Sequence, residues 1–253
     1  MQISGSSVIV TGGASGLGAA TAAWLAERGA RVAIFDIDED KGTHVAAKCG
    51  ALFVKASVYD EEDVEAGFEQ VVNTHGLANI LVNCAGVAPD VRLIRPEHIP
   101  YPMEMLVRTL EVNLMGTILM AAHFARYQAY RECPDEELGV IINTASVAAY
   151  DGQIGHVAYA ASKAGVVGAT LPMARDLAIH RIRVMTIAPG LFNTPMLDGI
   201  PGADRTELFT QVPHPARAGH PNEFAMMVEC IVTNPMLNGE VIRLDGALRL
   251  APV

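Results

Sequence analysis

Residues 7–18 read SVIVTGGASGLG, a short apolar run followed at once by a glycine-rich turn. The apolar run predicts a buried strand, and a helical pattern from Gly16 to Arg28 follows it. Glycines between a strand and a helix let the backbone approach a pyrophosphate, while the helix N-terminus supplies amide donors. A packing turn is the competing interpretation, but the position after a strand favours a dinucleotide site. Its candidate residues are Gly12, Ser15, Gly16, Leu17 and Gly18.

The alternation of strand and helix continues along the chain. Predicted strands are Ser7 to Thr11, Arg31 to Asp36, Ala51 to Lys55, Ile80 to Asn83, Gly139 to Thr144, Arg183 to Ala188 and Glu240 to Leu244. Predicted helices are Gly16 to Arg28, Glu39 to Cys49, Glu61 to Thr74, Met103 to Arg131, Val157 to His180 and Pro221 to Thr233. Continuously apolar strands indicate a parallel sheet covered on both faces. We therefore expect one α/β domain over residues 1–253, a Rossmann fold with a doubly wound, seven-stranded parallel sheet.

Composition restricts the classes of function. The 253 residues are 51% hydrophobic and 18% charged, with a formal net charge of -10, which disfavours general nucleic-acid or anionic-membrane binding. The sequence predicts no signal peptide and no apolar run of membrane-spanning length, so we expect a soluble, cytoplasmic protein. Cys49, Cys84, Cys133 and Cys230 show no paired spacing, and no histidine pattern indicates a metal site. We expect reduced thiols and no bound metal.

Asp36 ends the second predicted strand, eighteen residues beyond Gly18. A carboxylate at this point can accept hydrogen bonds from the hydroxyls of the adenosine ribose. A turn or helix-capping aspartate is the alternative interpretation. Because a ribose 2′-phosphate would meet a negative charge, and neither Ser15 nor Ile37 supplies a cation, the sequence predicts NAD rather than NADP.

Two further elements are candidates for the same site. The fourth strand ends in small residues, Asn83, Cys84, Ala85 and Gly86, as expected where a cofactor crosses the strand ends. An ordinary turn after a strand would show the same pattern. Asn113 lies inside the helical stretch EVNLMGT, where its side chain competes for backbone hydrogen bonds. Its position indicates a role beyond packing.

Tyr159 and Lys163 are four residues apart, and Ser146 lies thirteen positions before the tyrosine. On a helix this spacing places the phenol and the ammonium on one face. A phenol has an ordinary pKa of about 10, and a neighbouring cation is expected to lower it. Each residue alone could cap a turn, pack in the core or face solvent. Together, beside a dinucleotide loop, they predict proton exchange with an alcohol.

These motifs, with Pro189-Gly190, occur in an order that resembles the short-chain dehydrogenase/reductase superfamily over nearly the whole chain. Longer stretches, among them GVIINTASVAAYDGQ and IRVMTIAPGLFNTPML, are similar to the 3-hydroxyacyl-CoA dehydrogenase type-2 branch, also called 17β-hydroxysteroid dehydrogenase type 10. The resemblance implies NAD-dependent oxidation of 3-hydroxyacyl-CoA in fatty acid or branched-chain amino acid breakdown. A hydroxysteroid dehydrogenase and a 3-oxoacyl-thioester reductase are the alternatives within the superfamily. An NAD-bound scaffold or sensor is the alternative outside enzymes.

The resemblance also implies roles for single residues. Tyr159 would be the general base or acid, Ser146 would hold the substrate oxygen, Lys163 would bind the nicotinamide ribose, and Asn113 would anchor a proton-relaying water. Further cofactor contacts are implied at Ser57, Val58, Asn83, Ala85, Gly86, Pro189, Gly190, Leu191 and Thr194. Members commonly have Asp where this chain has Ser57, so the contact to adenine is weakened or passes to the backbone of Val58.

The substrate side and the assembly are less sharply predicted. The proline-rich segment from Leu191 to His220 would cover an acyl chain, with Gln153 in the substrate pocket. Candidate contacts to the CoA phosphates are Arg92, Arg95, Arg205 and Arg217. Pro172 predicts a bend after Gly168. Apolar helices and the resemblance predict a homotetramer, and the mitochondrial matrix is the alternative to the cytoplasm.

Overall fold

Seven strands of the described residues form one parallel sheet. The computed structural model describes residues 1–129, 137–197 and 209–252. The strands are β1 Ser7–Thr11, β2 Arg31–Asp36, β3 Leu52–Lys55, β4 Ile80–Asn83, β5 Gly139–Thr144, β6 Ile182–Pro189 and β7 Val241–Leu244. They lie in the order β3-β2-β1-β4-β5-β6-β7, and each neighbouring pair is parallel. The strand order reverses between β1 and β4, and crevices at such points bind ligands. The predicted Rossmann architecture is confirmed.

Helices cover both faces of the sheet. They are α1 Gly16–Glu27, α2 Glu39–Cys49, α3 Glu61–His75, α4 Met103–Leu110, α5 Gly116–Ala129, α6 Val157–Leu177 and α7 Pro221–Thr233. Apolar strand residues alternate between two core clusters: Val8 and Val10 pack with α1 and α7, whereas Ile9 packs with α3 and α5. Phe68 and Phe124 are almost fully buried in the second cluster. Each such ring stabilises the fold by about 2 kcal/mol.

The element boundaries differ from the predictions in a few places. The long helix predicted from Met103 is interrupted by a π-helical turn over Glu111–Met115 and is described as far as Ala129, so Arg131 lies outside the described residues. The helix that begins at Val157 ends at Leu177 and continues as a 3₁₀ turn over Ala178–His180. It runs through Pro172 without interruption.

Among the described residues, one helical stretch is long and apolar enough to cross a membrane by length and composition alone. Met103–Ala129 spans 27 residues, and its most apolar window has a mean hydropathy of 1.3. The expectation that no run reaches this length is therefore wrong. The reason is structural, since Met120 and Phe124 fill the core beneath the sheet and the window includes side chains buried by protein.

Candidate active site

A cleft of about 330 Å³ opens at the carboxyl ends of the strands. It lies between the loop after β1 and the segments that follow β2, β3, β4, β5 and β6. Most predicted site residues line it: Gly12, Ser15, Gly16, Leu17, Gly18, Asp36, Ser57, Val58, Ala85, Gly86, Ser146, Tyr159, Lys163, Pro189, Gly190, Leu191 and Thr194. The structure thus brings together predicted residues that are up to 182 positions apart, from Gly12 to Thr194.

The glycine-rich turn is packed too tightly for larger residues. A Cβ on Gly12 would lie 2.7 Å from the Ala85 nitrogen, and a Cβ on Gly18 would lie 2.3 Å from the Gly12 carbonyl oxygen. Gly12 also has a φ of +64°, which disfavours side chains. This close packing holds the turn against β4 and leaves its backbone facing the cleft.

The helix that follows the turn is open at its N-terminus. Helices α2 and α3 have side-chain caps from Asp38 and Asp60, whereas Ser15 at the start of α1 makes no such bond. The first turn of α1 has no acidic residue. Its free amides and positive dipole end therefore face the cleft, an arrangement that fits the pyrophosphate of a dinucleotide.

Asp36 is held by backbone donors at the end of β2. Its Oδ2 accepts the N–H of Ala14 at 2.9 Å, and its Oδ1 accepts the N–H of Asp38 at 3.0 Å. Both bonds fix the carboxylate at the rim of the cleft. A fixed negative charge accepts ribose hydroxyls and repels a phosphate in the same place.

Ser57 and Val58 line the cleft beyond β3. The N–H of Ser57 donates to Asp63 at 2.9 Å. Its Oγ is buried and has no hydrogen-bond partner among the described residues. Because this oxygen is inaccessible, the predicted adenine contact would have to come from the backbone here.

The loop after β4 is fixed by Thr11. Its Oγ1 accepts the N–H groups of Cys84 and Ala85, both at 3.1 Å. Asn83 does not line the cleft, since it is buried and donates to Asn143 Oδ1 at 2.9 Å. The side chain of Asn83 therefore links β4 to β5, and its predicted contact with the cofactor stays a prediction.

Asn113 lies in the π-helical turn and is fully buried. Its Oδ1 accepts the N–H of Val87 at 2.8 Å, while its Nδ2 donates to the Val87 carbonyl and to Ser162 Oγ, both at 2.9 Å. The side chain thus joins the loop after β4 to α6 at a residue between Tyr159 and Lys163. π-Helical turns are frequent at functional sites. The water-anchoring role stays a prediction.

Ser146, Tyr159 and Lys163 converge in the cleft. Ser146 follows β5 and caps the 3₁₀ turn Val147–Ala149, accepting the N–H of Ala148 at 3.1 Å. Its side chain is hydrogen-bonded to Tyr159. The Lys163 ammonium donates to the Thr144 carbonyl at 2.7 Å and lies 5.9 Å from the centre of the Tyr159 ring. The three side chains predicted from spacing therefore form one constellation.

The electrostatics of the pair differ from the expectation. Burial raises the pKa of Tyr159, and the hydrogen bond with Ser146 offsets only part of that effect. Burial lowers the pKa of Lys163 to about 8. The predicted lowering of the pKa of Tyr159 by Lys163 is wrong for this arrangement, because the ammonium is bonded to Thr144 and lies over the ring.

Substrate-side predictions are met unevenly. Gln153 is half-buried, makes a contact, and lies outside the lining of the cleft. Arg217 is paired with both carboxylate oxygens of Glu223 at 2.8 Å, and Arg95 donates to the Pro100 carbonyl. Arg92 is exposed, whereas Arg205 lies outside the described residues. The loop from Leu191 to His220 is described only to residue 197 and again from residue 209.

The cleft also includes residues that sequence reasoning missed. These are Phe35, Ile37, Ala56, Tyr59, Val87, Arg108, Val112, Thr144 and Ala145, whereas Phe192, Pro195, Met196 and Leu197 belong to the loop already predicted to cover the substrate. Most are neighbours of predicted residues at strand ends, a signal that the sheet topology supplies. Arg108 is different: it comes from α4 and its guanidinium lies 4.4 Å from the centre of the Tyr59 ring. Nothing in its local sequence indicates this position.

The described cysteines, Cys49, Cys84 and Cys230, are free, and Cys133 lies outside the described residues. Burial raises the pKa of the Cys84 thiol to about 11. Within residues 1–129, 137–197 and 209–252, no group of three or more His, Cys, Asp or Glu side chains could hold a metal ion. Metal-assisted chemistry thus has no candidate ligand set in these ranges.

Comparison with known proteins identifies the family. The family model described as short chain dehydrogenase matches residues 6–204. The chain is 48% identical to 3-hydroxyacyl-CoA dehydrogenase type-2 of Drosophila melanogaster over 96% of this chain and 97% of that protein. It is 46% identical to the Homo sapiens protein of the same name, covering 99% and 98%.

A solved structure is similar as well. The crystal structure of 3-hydroxyacyl-CoA dehydrogenase type-2 from Mycobacterium avium has 40% sequence identity and a TM-score of 0.92, with 98% of both chains covered. The shared family and the cleft agree on the class of reaction. The chain belongs to the short-chain dehydrogenase family and is an oxidoreductase that uses a nicotinamide dinucleotide on a small-molecule substrate.

Proposed function

We propose that the protein oxidises 3-hydroxyacyl-CoA thioesters to 3-oxoacyl-CoA with NAD. The observation that carries the proposal is the constellation of Ser146, Tyr159 and Lys163 in the same cleft as the open N-terminus of α1. The choice of substrate is supported by the names of relatives at 46% to 48% identity over nearly the whole chain. A place in fatty acid breakdown is part of this proposal.

The residues divide the reaction between them. The Ser146 hydroxyl holds the substrate oxygen beside Tyr159, whose oxygen, once ionised, takes the hydroxyl proton as the carbon gives up its hydride. A bound nicotinamide ring supplies the hydride acceptor. Lys163, fixed by Thr144, places a cation next to the tyrosine and within reach of the ribose hydroxyls. In reduction Tyr159 returns the proton to the oxygen.

NAD is preferred in this proposal because Asp36 is a charge fixed by two backbone bonds. Transfer of a phosphate to its vicinity costs free energy, since like charges repel. Arg108 is a cation that also lines the cleft, but its guanidinium is stacked on Tyr59. The rates with NADH and NADPH show whether the negative charge of Asp36 or the positive charge of Arg108 determines the choice of cofactor.

The test follows NADH absorbance with acetoacetyl-CoA, and then repeats the assay with NADPH and with a steroid ketone. We expect NADH to be consumed with the acyl-CoA and NADPH to react far more slowly. An absence of NADH oxidation with any acyl-CoA would overturn the substrate, and rapid turnover of the steroid ketone alone would favour a hydroxysteroid dehydrogenase. Equal rates with NADPH would overturn the role of Asp36.

We also propose a homotetramer. Several large apolar side chains are exposed on α4, α6 and the turn between α4 and α5: Met103, Val107, Met115, Val157 and Leu171. Apolar surface on helices is typical of subunit contacts. Light scattering that gave the mass of one chain would contradict the assembly. A cytoplasmic location, with the mitochondrial matrix as the alternative, stays a prediction for cell fractionation.

A further inference from the structure

Arg243 in β7 makes the densest set of ionic contacts near the cleft, although it does not line it. Its Nη1 and Nη2 donate to the two oxygens of Asp151 at 3.1 and 2.6 Å. Its Nε donates to Asp245 at 2.7 Å, and Nη2 also donates to the Leu248 carbonyl at 2.9 Å. Its side chain is 21% exposed, and that of Asp151 is 12% exposed. Bidentate pairs of this kind fix both position and orientation.

Asp151 lies five residues after Ser146 on a segment that is tightly folded. The N–H groups of Tyr150 and Asp151 both donate to the Val147 carbonyl at 2.9 Å, and that of Ala149 donates to the Ser146 carbonyl at 3.0 Å. The guanidinium of Arg243 also lies 5.3 Å from the centre of the Tyr150 ring. Because short backbone hydrogen bonds run from Ser146 to Asp151 without a gap, a shift at Asp151 moves the turn that Ser146 caps.

The C-terminal tail strengthens this connection. The N–H of Leu250 donates to Asp151 at 3.4 Å, and the N–H of Ile154 donates to the Pro252 carbonyl at 3.2 Å. Leu248 is fully buried against Val147. The tail therefore contacts the segment that follows Ser146 at Val147, Asp151 and Ile154, with Arg243 as the ionic link.

We propose that Arg243 is a positioning residue for hydride transfer, which through Asp151 holds Ser146 in register with Tyr159. The role rests on the proposed function for its kinetic consequence. Arg243 does not line the cleft, so it is not placed to touch cofactor or substrate. Its effect on Ser146 passes along the backbone of residues 146–151, so it acts on the rate of chemistry. Asp151→Asn leaves the pair of Arg243 with Asp245, which packs on the cleft-lining Gly190, in place and so separates this effect from cofactor affinity.

The chain offers matched controls for the test. Arg249 is the exposed arginine of the same cluster: it contacts Asp245 but not the segment after Ser146, and its side chain is 62% exposed. Arg183 is a buried arginine at the far end of the neighbouring strand, so it controls for loss of stability. The test variants are Arg243→Met, which keeps an apolar stem, and Asp151→Asn.

We expect Arg243→Met and Asp151→Asn each to lower kcat with acetoacetyl-CoA by about 10- to 100-fold, because small misplacements at a reacting centre cost this much. The Kd for NADH should stay within about twofold, as should kcat of Arg249→Met. The double variant should lose no more than its worse single variant, since both break one contact. Arg183→Met should lower the Tm while its folded fraction keeps kcat. Wild-type kcat in Arg243→Met, or losses that multiply in the double variant, would overturn the proposal.

A second measurement does not depend on turnover. The titration of Tyr159 is obtained as the tyrosinate absorbance difference between each protein and its Tyr159→Phe partner. Since the Ser146 bond lowers the pKa of Tyr159, its loss in Arg243→Met should move this titration to higher pH, while Arg249→Met leaves it in place. An unchanged titration would overturn the positioning role, whereas an inactive wild type would overturn only the proposed substrate. If Arg243→Met does not fold, Arg243→Lys retains the cation without the bidentate pair.

Discussion

Buried cations at the two ends of the parallel sheet differ in how fully they are hydrogen-bonded. At the amino end of β6, Arg183 donates to Glu137 and to the carbonyls of Ile231, Val232 and Leu237, so every part of its guanidinium is bonded. At the carboxyl end of β5, the ammonium of Lys163 makes one hydrogen bond among the described residues, to the Thr144 carbonyl. Both side chains are buried. A cation that is satisfied within the protein stabilises the fold, while one with spare donors beside a cleft retains them for a ligand.

The largest effect should come from Tyr159→Phe at the carboxyl end. Removing the hydroxyl removes the proton acceptor, so kcat should fall by about 10³-fold or more while NAD binding is nearly intact. Stopped-flow or steady-state assays and a binding titration measure the two quantities. Tyr127→Phe is the control, because that hydroxyl bonds to Glu65 away from the cleft. Loss of cofactor binding in Tyr159→Phe would indicate a structural role instead.

The opposite pattern is expected for Arg183→Met at the amino end. The variant leaves three carbonyls without their donor and Glu137 with the Met1 ammonium alone, so the free energy of unfolding should drop by about 3 kcal/mol. Denaturant unfolding measures this loss. The kcat of the folded protein should not change, because Arg183 is remote from the cleft. Unchanged stability would show that the network adds little, and a selective loss of kcat would contradict the division between the two ends.

This division was only partly predictable from sequence. Local patterns determine strands and their ends, so all seven strands and the glycine turn were placed within about one residue of the structure. Glycines, Asp36 and the Tyr159 to Lys163 spacing also report on short-range geometry. The residues predicted from these patterns line the same cleft, because parallel strands present their carboxyl ends together.

Contacts between distant segments were not predictable in the same way. The pairing of Arg243 with Asp151 joins residues 92 positions apart, and that of Asn83 with Asn143 joins residues 60 apart. The pKa of Tyr159 depends on burial and on where Lys163 directs its proton donors, which a helical spacing does not specify. Such properties arise from tertiary packing, and a periodic sequence pattern does not report on contacts between distant segments.

A smaller effect is expected at Asp36, which belongs to the carboxyl end but binds rather than reacts. Asp36→Asn removes the charge and keeps an acceptor, so the ratio of kcat/KM with NADP to that with NAD should rise about tenfold, or about 1.4 kcal/mol. Asp38→Asn is the control, since that half-buried carboxylate caps α2 outside the lining of the cleft. An equal rise in both variants would mean that general charge, not the position of Asp36, selects the cofactor.

The smallest effect should be a gain in stability at Lys163. Burial lowers the pKa of this lysine to about 8 in the folded protein, from its ordinary value of 10.5. Below pH 8 both states carry the proton, so the folded state bears the full cost of a buried charge. Between pH 8 and 10 the unfolded chain holds more protons, so wild-type stability rises with pH through this residue. At pH 7 the free energy of unfolding of Lys163→Met should therefore be about 1 kcal/mol higher than that of the wild type, although we expect the variant to be inactive.

The pH dependence decides whether that gain has this cause. As the pH rises through about 8, the advantage of Lys163→Met over the wild type should shrink, because the wild-type lysine then loses its buried charge on folding. Denaturant unfolding at a series of pH values measures this difference in the free energy of unfolding. Arg183→Met is the comparison: it retains Lys163, so its loss of stability relative to the wild type should not change as the pH passes through about 8. A Lys163→Met variant that is less stable at pH 7 would show that the bond to Thr144 outweighs the cost of burial. The lysine would then stabilise the fold as Arg183 does, and the contrast between the two ends of the sheet would fail.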